Sequence, residues 1–312
     1  MKHIDRSVLQ RVIAVMNGKG GVGKTSITAN LAGLYAAAGY RVLVLDCDPQ
    51  GNLGVDLGYL ADGRSDSGQE LLRAITESSA PIPLTGVREN LDVLPGGDLL
   101  NDLASELART GRGSVDTAGM ALAASLAQIA EDYDLIFIDS PPGGDVLQRL
   151  ILTAAKWVIV PTRSDDASRI GLRDVARRYL EARTDNPGLA LLGVVLFGTN
   201  ISATRVTGQA REALARDLNG VVPVLDATIR YVEAAATDAR NRGQLLHELE
   251  KSVAAQPRWY ELRRSGDGKK TTALAASAGS LAGDYAALAK EVLQMIVDAE
   301  NKLIDELQGA QS

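Results

Sequence analysis

Cysteine is almost absent from this chain: Cys47 is the sole one among 312 residues. One thiol rules out an internal disulfide and any metal site built from several cysteines of a single chain. Its place at the end of an apolar run predicts a small buried side chain. Aromatic residues are scarce as well, at 4%, while alanine is abundant, so the core is expected to consist of Leu, Val, Ile and Ala. No apolar run is long enough to span a bilayer, and no secretory leader precedes Val12, so a cytoplasmic location is expected. Positive charge is in the minority, with 33 Lys and Arg against 39 Asp and Glu and a formal net charge of −6. That balance argues against a uniformly basic nucleic-acid surface. It leaves room for a local basic patch, because binding depends on where charge sits.

What is present reads as a globular enzyme, with 46% hydrophobic and 23% charged residues. Apolar runs alternate with helical patterns, which predicts an α/β fold: a single doubly wound, mostly parallel sheet with helices on both faces. The strand candidates are Val12–Met16, Val42–Leu45, Leu91–Leu94, Leu135–Ile138, Trp157–Val160 and Leu191–Leu196. They lack polar alternation, as strands covered on both sides should. Helices are expected at Ser26–Ala38, Gly119–Glu131, Ser168–Ala182 and Thr204–Leu218. Asp62–Gly68 is polar and loop-like. No linker divides the chain, so residues 1–312 are expected to form one domain. Lys251–Thr272 reads as a basic surface insertion. From Ser280 to about Gln308, apolar residues at helical spacing predict one amphipathic C-terminal helix, or two with a break near Asp298.

The chemistry concentrates where the first strand meets the first helix. Gly18 to Thr25 fits the phosphate-loop pattern G-x-x-x-x-G-K-[ST]. Glycines there let successive N–H groups turn inward on a polyphosphate, and the helix N-terminus adds unpaired donors and a favourable dipole. Gly18, Gly20, Gly21, Val22, Gly23, Lys24, Thr25 and Ser26 are the candidate nucleotide-binding residues. Lys24 would hold the β/γ-phosphates and the Thr25 hydroxyl a magnesium ion. Two further carboxylate positions end apolar strands: Asp46 with Asp48 in Asp46-Cys47-Asp48-Pro49-Gln50-Gly51-Asn52, and Asp139 before Ser140-Pro141-Pro142-Gly143. Open α/β sheets bind ligands at such strand ends. Turn capping is the lesser alternative for Asp46, and more so for Asp48.

Lys19, beside the first glycine of the loop, is not needed for a generic nucleotide site. With it, Lys19-Gly20-Gly21-Val22-Gly23-Lys24-Thr25 resembles the deviant Walker A box of the ParA/MinD family of ATPases. The Asp46–Asn52 stretch is similar to that family's DxDPQGN switch segment, and Tyr133–Gly143 to its Walker B strand and second switch. Leu91–Gly96, Trp157–Pro161, Ile229–Ala234 and Tyr285–Glu291 resemble later family segments, so the likeness covers nearly the whole chain. It implies an ATP-sandwich homodimer in which Lys19 reaches the partner's phosphates. Catalytic roles would fall to Lys19, Lys24 and Asp48, the last orienting the attacking water. Thr25, Asp46 and Asp139 would serve magnesium, Asp46 and Asp139 through water.

The resemblance further implies a DNA partition ATPase that binds DNA nonspecifically, associates with the nucleoid, and is stimulated by a ParB-like centromere-binding protein. Only eleven residues precede Val12, too few for a helix-turn-helix, which points to the short, Soj-like subclass. Arg230 matches an arginine that contacts DNA in relatives, and Arg205 lies two residues from another such position. Arg258, Arg263, Arg264, Lys269 and Lys270, interleaved with Trp259 and Tyr260, form the chain's basic concentration, a phosphate-contacting patch or a solvated loop. A membrane anchor is not expected, because Glu291, Asp298, Glu300, Asp305 and Glu306 would be repelled by anionic lipid. The family's I-P-R is missing: Leu225-Asp226-Ala227 stands in its place, so ATP is implied by the family alone. The alternatives are a positioning ATPase for a protein cargo, a MinD-like division regulator on membrane and, with no second substrate-binding constellation to support it, a metabolic P-loop enzyme.

Overall fold

A computed structural model describes residues 4–109, 119–163, 166–199, 204–218, 222–255 and 277–309. Eight strands form one sheet: β1 (Val12–Val15), β2 (Val42–Asp46), β3 (Leu84–Arg88), β4 (Leu91–Leu94), β5 (Leu135–Asp139), β6 (Trp157–Thr162), β7 (Ala190–Thr199) and β8 (Val224–Arg230). Their order is β3-β4-β2-β5-β1-β6-β7-β8, and only the β3–β4 pair is antiparallel. The helices are α1 (Lys24–Ala37), α2 (Asn52–Asp56), α3 (Gln69–Glu77), α4 (Leu103–Arg109), α5 (Ala121–Leu126), α6 (Asp145–Ala154), α7 (Asp166–Ala182), α8 (Thr204–Asp217), α9 (Glu233–Arg242), α10 (Leu246–Ala254) and α11 (Ala278–Gly309).

The expected doubly wound sheet is present, and the strand sequences explain it. Alternate residues along one strand feed opposite cores: Ile13, Val15, Val42, Val44 and Phe137 pack on one face, and Val12, Ala14, Leu43, Leu45, Ile136 and Ile138 on the other. Both faces are buried, so no polar alternation survives in the central strands. Cys47 is fully buried among the second set, and burial pushes its thiol pKa up.

The two missed strands are the edges. In β3, one face is open and Gly86 interrupts the run. In β8 the exposed Asp226 breaks the apolar pattern, and its N–H, with that of Ala227, is capped by the Glu291 carboxylate of α11 at 2.7 Å each. The single helix expected over Gly119–Glu131 is instead α5 followed by a 3₁₀ turn at Ala130–Asp132. Of the expected insertion from Lys251, the first residues close α10, and residues 256–276 lie outside the described set.

Helix α11 runs unbroken through Asp298 for 32 residues, about 48 Å at the usual rise. Leu281, Tyr285, Leu288, Val292 and Ile296 are buried as its spacing predicts. Tyr35 Oη donates to the Ala289 carbonyl at 2.6 Å, tying α11 to α1. Its last turns leave the body, with Leu303 and Ile304 half exposed. Among the described residues no helix is long and apolar enough to cross a membrane.

Candidate functional site

The carboxyl ends of β1, β2 and β5 meet at one place, and the sequence motifs meet with them. In register, Val15 lies beside Asp139 and Asp46 beside Asp139, so the phosphate-loop strand and both carboxylate strands end together. The Cys47 N–H donates to the Asp139 carbonyl at 3.0 Å, which carries the chain from β2 into the Asp48–Gly51 turn.

The loop Gly18–Gly23 is held from below. Asn17 Nδ2 donates to the Pro161 carbonyl at 2.7 Å, and its Oδ1 accepts the Lys19 N–H at 2.9 Å. Gly23 enters α1 with φ +88°, and a Cβ there would lie 2.2 Å from the Phe197 ring, so a side chain is excluded twice over. Lys24 opens the helix, buried to 6% exposure, with Nζ donating to the Lys19 carbonyl at 3.0 Å. Burial lowers its pKa, while Asp139 and Asp48 favour the charged form. Lys19 itself is half-buried.

The carboxylates have divergent surroundings. Asp46 accepts the Asp48 N–H at 3.0 Å through Oδ1 and the Leu53 N–H at 3.2 Å through Oδ2. Asp48 accepts the Gln50 N–H at 2.9 Å. The turn-capping reading of these residues therefore holds, and it shapes the segment that presents Asp48. Gly96, from the turn after β4, makes this possible: a Cβ there would stand 2.5 Å from the Asp46 carbonyl oxygen and 2.8 Å from the Asp48 carbonyl oxygen.

Asp139 is fully buried; among the described residues neither of its oxygens meets a donor at full hydrogen-bonding geometry, though the Thr25 hydroxyl is near enough to favour its charged form, and the neighbouring Ser140 hydroxyl has no partner either. Burial and the nearby Asp46 push the Asp139 pKa well up, with Thr25 and Lys24 opposing. The Asp46 carboxyl is raised for the same reason, burial first. An orphaned buried carboxylate beside a threonine hydroxyl suits a hard cation. Among the described residues no group of three or more His, Cys, Asp or Glu could hold a metal. A cation here would thus take most of its ligands from water and a bound phosphate, as magnesium does and zinc does not.

A cavity of about 310 Å³ opens beside the loop, lined by Gly21, Ser26, Arg163, Phe197 and Tyr231 among others. Sequence reasoning did not find Arg163, Phe197 or Tyr231. The only signal for the first two is their place at or near the carboxyl ends of β6 and β7. Arg230 also borders the cavity, but Asp284 of α11 holds it bidentately at 2.6 and 2.8 Å. A DNA phosphate would have to compete with a carboxylate that is only 9% exposed. Arg205 starts α8, but its side chain, like Arg258, Arg263, Arg264, Lys269 and Lys270, lies outside the described residues.

Comparison with known proteins bears on the same segments. Residues 10–189 match the family model described as an AAA domain. The chain is 37% identical over 190 residues to the chromosome partitioning protein ParA of Caulobacter vibrioides, covering 60% of this chain and 68% of that protein. It is 31% identical over 259 residues to the sporulation initiation inhibitor protein Soj of Bacillus subtilis, covering 78% of this chain and 98% of that one. Among solved structures it is similar to cobyrinic acid a,c-diamide synthase from Mycobacterium smegmatis with bound ADP and magnesium. That match has TM-score 0.61 and 30% identity, covering 74% of this chain and 91% of the other.

Proposed function

The chain belongs to the ParA/MinD family of ATPases, and from that premise we propose that it is an ATP-dependent DNA partition ATPase working as a nucleotide-sandwich homodimer. The observation that carries the reading is the junction of β1, β2 and β5. There a buried lysine, a threonine hydroxyl and a carboxylate without a full hydrogen-bond partner among the described residues come together, with Lys19 in the same loop.

Roles follow from position. The N–H groups of Gly20 to Ser26 and the Lys24 ammonium hold the polyphosphate, and burial of Lys24 strengthens its attraction for an anion. Thr25 would hold magnesium directly and Asp139 through a water, and the ion, when bound, would neutralise charge on the phosphates. Asp46 fixes the turn from behind through its two backbone hydrogen bonds and, through water, stands behind the magnesium shell. Asp48, presented by that turn, orients the attacking water. In-line phosphoryl transfer requires a positioned water and charge neutralisation more than a strong base. Lys19 completes the neighbouring subunit's site, so turnover is slow in the monomer and responds to a ParB-like partner.

Nonspecific contact with nucleoid DNA is assigned to Arg205 and to Arg258, Arg263, Arg264, Lys269 and Lys270, and more weakly to Arg230, whose carboxylate partner must first yield it. A gel shift with unrelated duplexes in ATP, ADP or no nucleotide tests this. ATP-dependent retardation that falls steeply with salt is expected. Binding to anionic liposomes in place of DNA would instead favour the membrane regulator.

A further inference from the structure

We propose that Arg163 is a further cationic ligand of the nucleotide's phosphates; the assignment rests on the nucleotide reading above and adds to it a residue outside the phosphate loop. Arg163 follows the carboxyl end of β6, the strand that pairs with β1 on the side opposite β5. Its guanidinium stands over the phosphate loop. Nη1 donates to the Gly21 carbonyl at 3.4 Å, a long and weak bond, and the group packs against the backbone at Gly198. It lines the same cavity as Gly21 and Ser26, two residues of the segment that would wrap a polyphosphate.

The other arginines around this cavity are committed elsewhere. Arg230 is paired with Asp284, and Arg240 donates to Asn52 Oδ1 at 2.7 Å and pairs with Asp56 at 3.5 Å. Among the described residues no carboxylate pairs with Arg163. Four of its five donors have no protein acceptor there, and they border a cavity.

Charge balance gives this arrangement a purpose. Asp46, Asp48 and Asp139 surround the site, and Lys24 is the buried cation among them. A nucleotide polyphosphate entering that surrounding meets carboxylates on the switch side, so a second cation on the opposite wall, fixed in the same subunit, lowers the cost of bringing it in. A planar guanidinium can offer two parallel donors to one phosphate, which a lysine cannot.

The test uses the full chain, with ATP and inorganic tripolyphosphate titrated separately by calorimetry in the presence of magnesium. Arg163→Ala is expected to weaken both ligands by about tenfold or more, and Arg163→Lys to recover part of the loss. Because the residue makes a single weak contact, both variants should melt within a degree or two of the parent when no ligand is present. Binding of both ligands by Arg163→Ala within about twofold of the parent would overturn the assignment. Loss of ATP affinity with tripolyphosphate unaffected would also overturn it, placing the arginine on the nucleoside instead. A parent protein that binds neither ligand would overturn the nucleotide reading itself, and this inference with it.

Discussion

Asp46 and Asp139 sit side by side at the ends of β2 and β5, and their hydrogen bonding is opposite: both oxygens of Asp46 are bound by backbone N–H groups, and among the described residues neither oxygen of Asp139 meets a donor at full hydrogen-bonding geometry. The fold engages both oxygens of one carboxylate and, on the proposed reading, leaves those of the other for a ligand. Asp46→Ala strands two buried N–H donors and should cost about 2–4 kcal/mol of unfolding free energy in urea titrations. Asp139→Asn replaces a carboxyl whose ionisation burial opposes and should leave the ligand-free protein as stable as the parent or more so, while weakening magnesium-dependent nucleotide binding at least about tenfold.

The two residues of the hydrolytic machinery should separate in kinetics. Lys24→Ala should abolish nucleotide-dependent dimerisation, because it removes the buried cation from the loop. Asp48→Ala keeps the backbone bond from residue 48 to Asp46 and loses the cap on Gln50; on the proposed reading it should bind ATP, dimerise and stall, because the group assigned to orient water is gone. Rapid phosphate release by the Asp48 variant would refute that role.

Asp56 on α2 supplies a pH signature. Burial pushes its carboxyl up to about 6, with Arg240 opposing. Its folded pKa exceeds the unfolded value near 3.8, so its favourable contribution is full below pH 3.8 and is lost as pH rises through about 6. The shift corresponds to about 3 kcal/mol at most. Asp56→Asn should therefore gain stability relative to the parent between pH 4.5 and 7. Urea titrations at the two pH values check the sign, and a difference independent of pH would contradict it.

Arg230 and the basic run should behave differently. Arg230→Ala leaves buried Asp284 with the backbone N–H of residue 230 but without its guanidinium partner and should cost about 1–3 kcal/mol of stability. Lys269→Ala combined with Lys270→Ala should leave the melting temperature unchanged and weaken DNA binding, reducing the salt slope by about one per lost phosphate contact. Thermal melts beside a salt series of gel shifts separate the two effects.

The centre of the sheet and the phosphate loop were legible in the sequence because their constraints are local. Central strands must be apolar on both faces, and Gly23 must be glycine to take φ +88° against Phe197. The edges were not legible. β8 is interrupted by Asp226, and what makes it a strand includes the Glu291 carboxylate, far along the chain. α9 has the mostly polar and alanine-rich sequence Glu233–Arg242, with little apolar periodicity to reveal it. Phe197 and Arg163 reach the loop only because β6 and β7 follow β1 in the sheet order, an arrangement that no spacing in the sequence encodes. The resemblance supplied Asp48 with a role and the sequence offered a turn there; the close approach of Gly96 to that turn follows from β4 pairing with β2, which no local pattern encodes.

The central claim is that two copies close over a pair of triphosphates, each giving Lys19 to the other. Sedimentation velocity with magnesium and a nonhydrolysable ATP analogue tests it most directly, comparing the parent with Lys19→Ala. The expected result is a monomer without nucleotide, a dimer with the analogue, and a Lys19→Ala protein that binds the analogue yet sediments as a monomer. A parent that stays monomeric at saturating analogue, or a Lys19→Ala protein that dimerises as well as the parent, would contradict it.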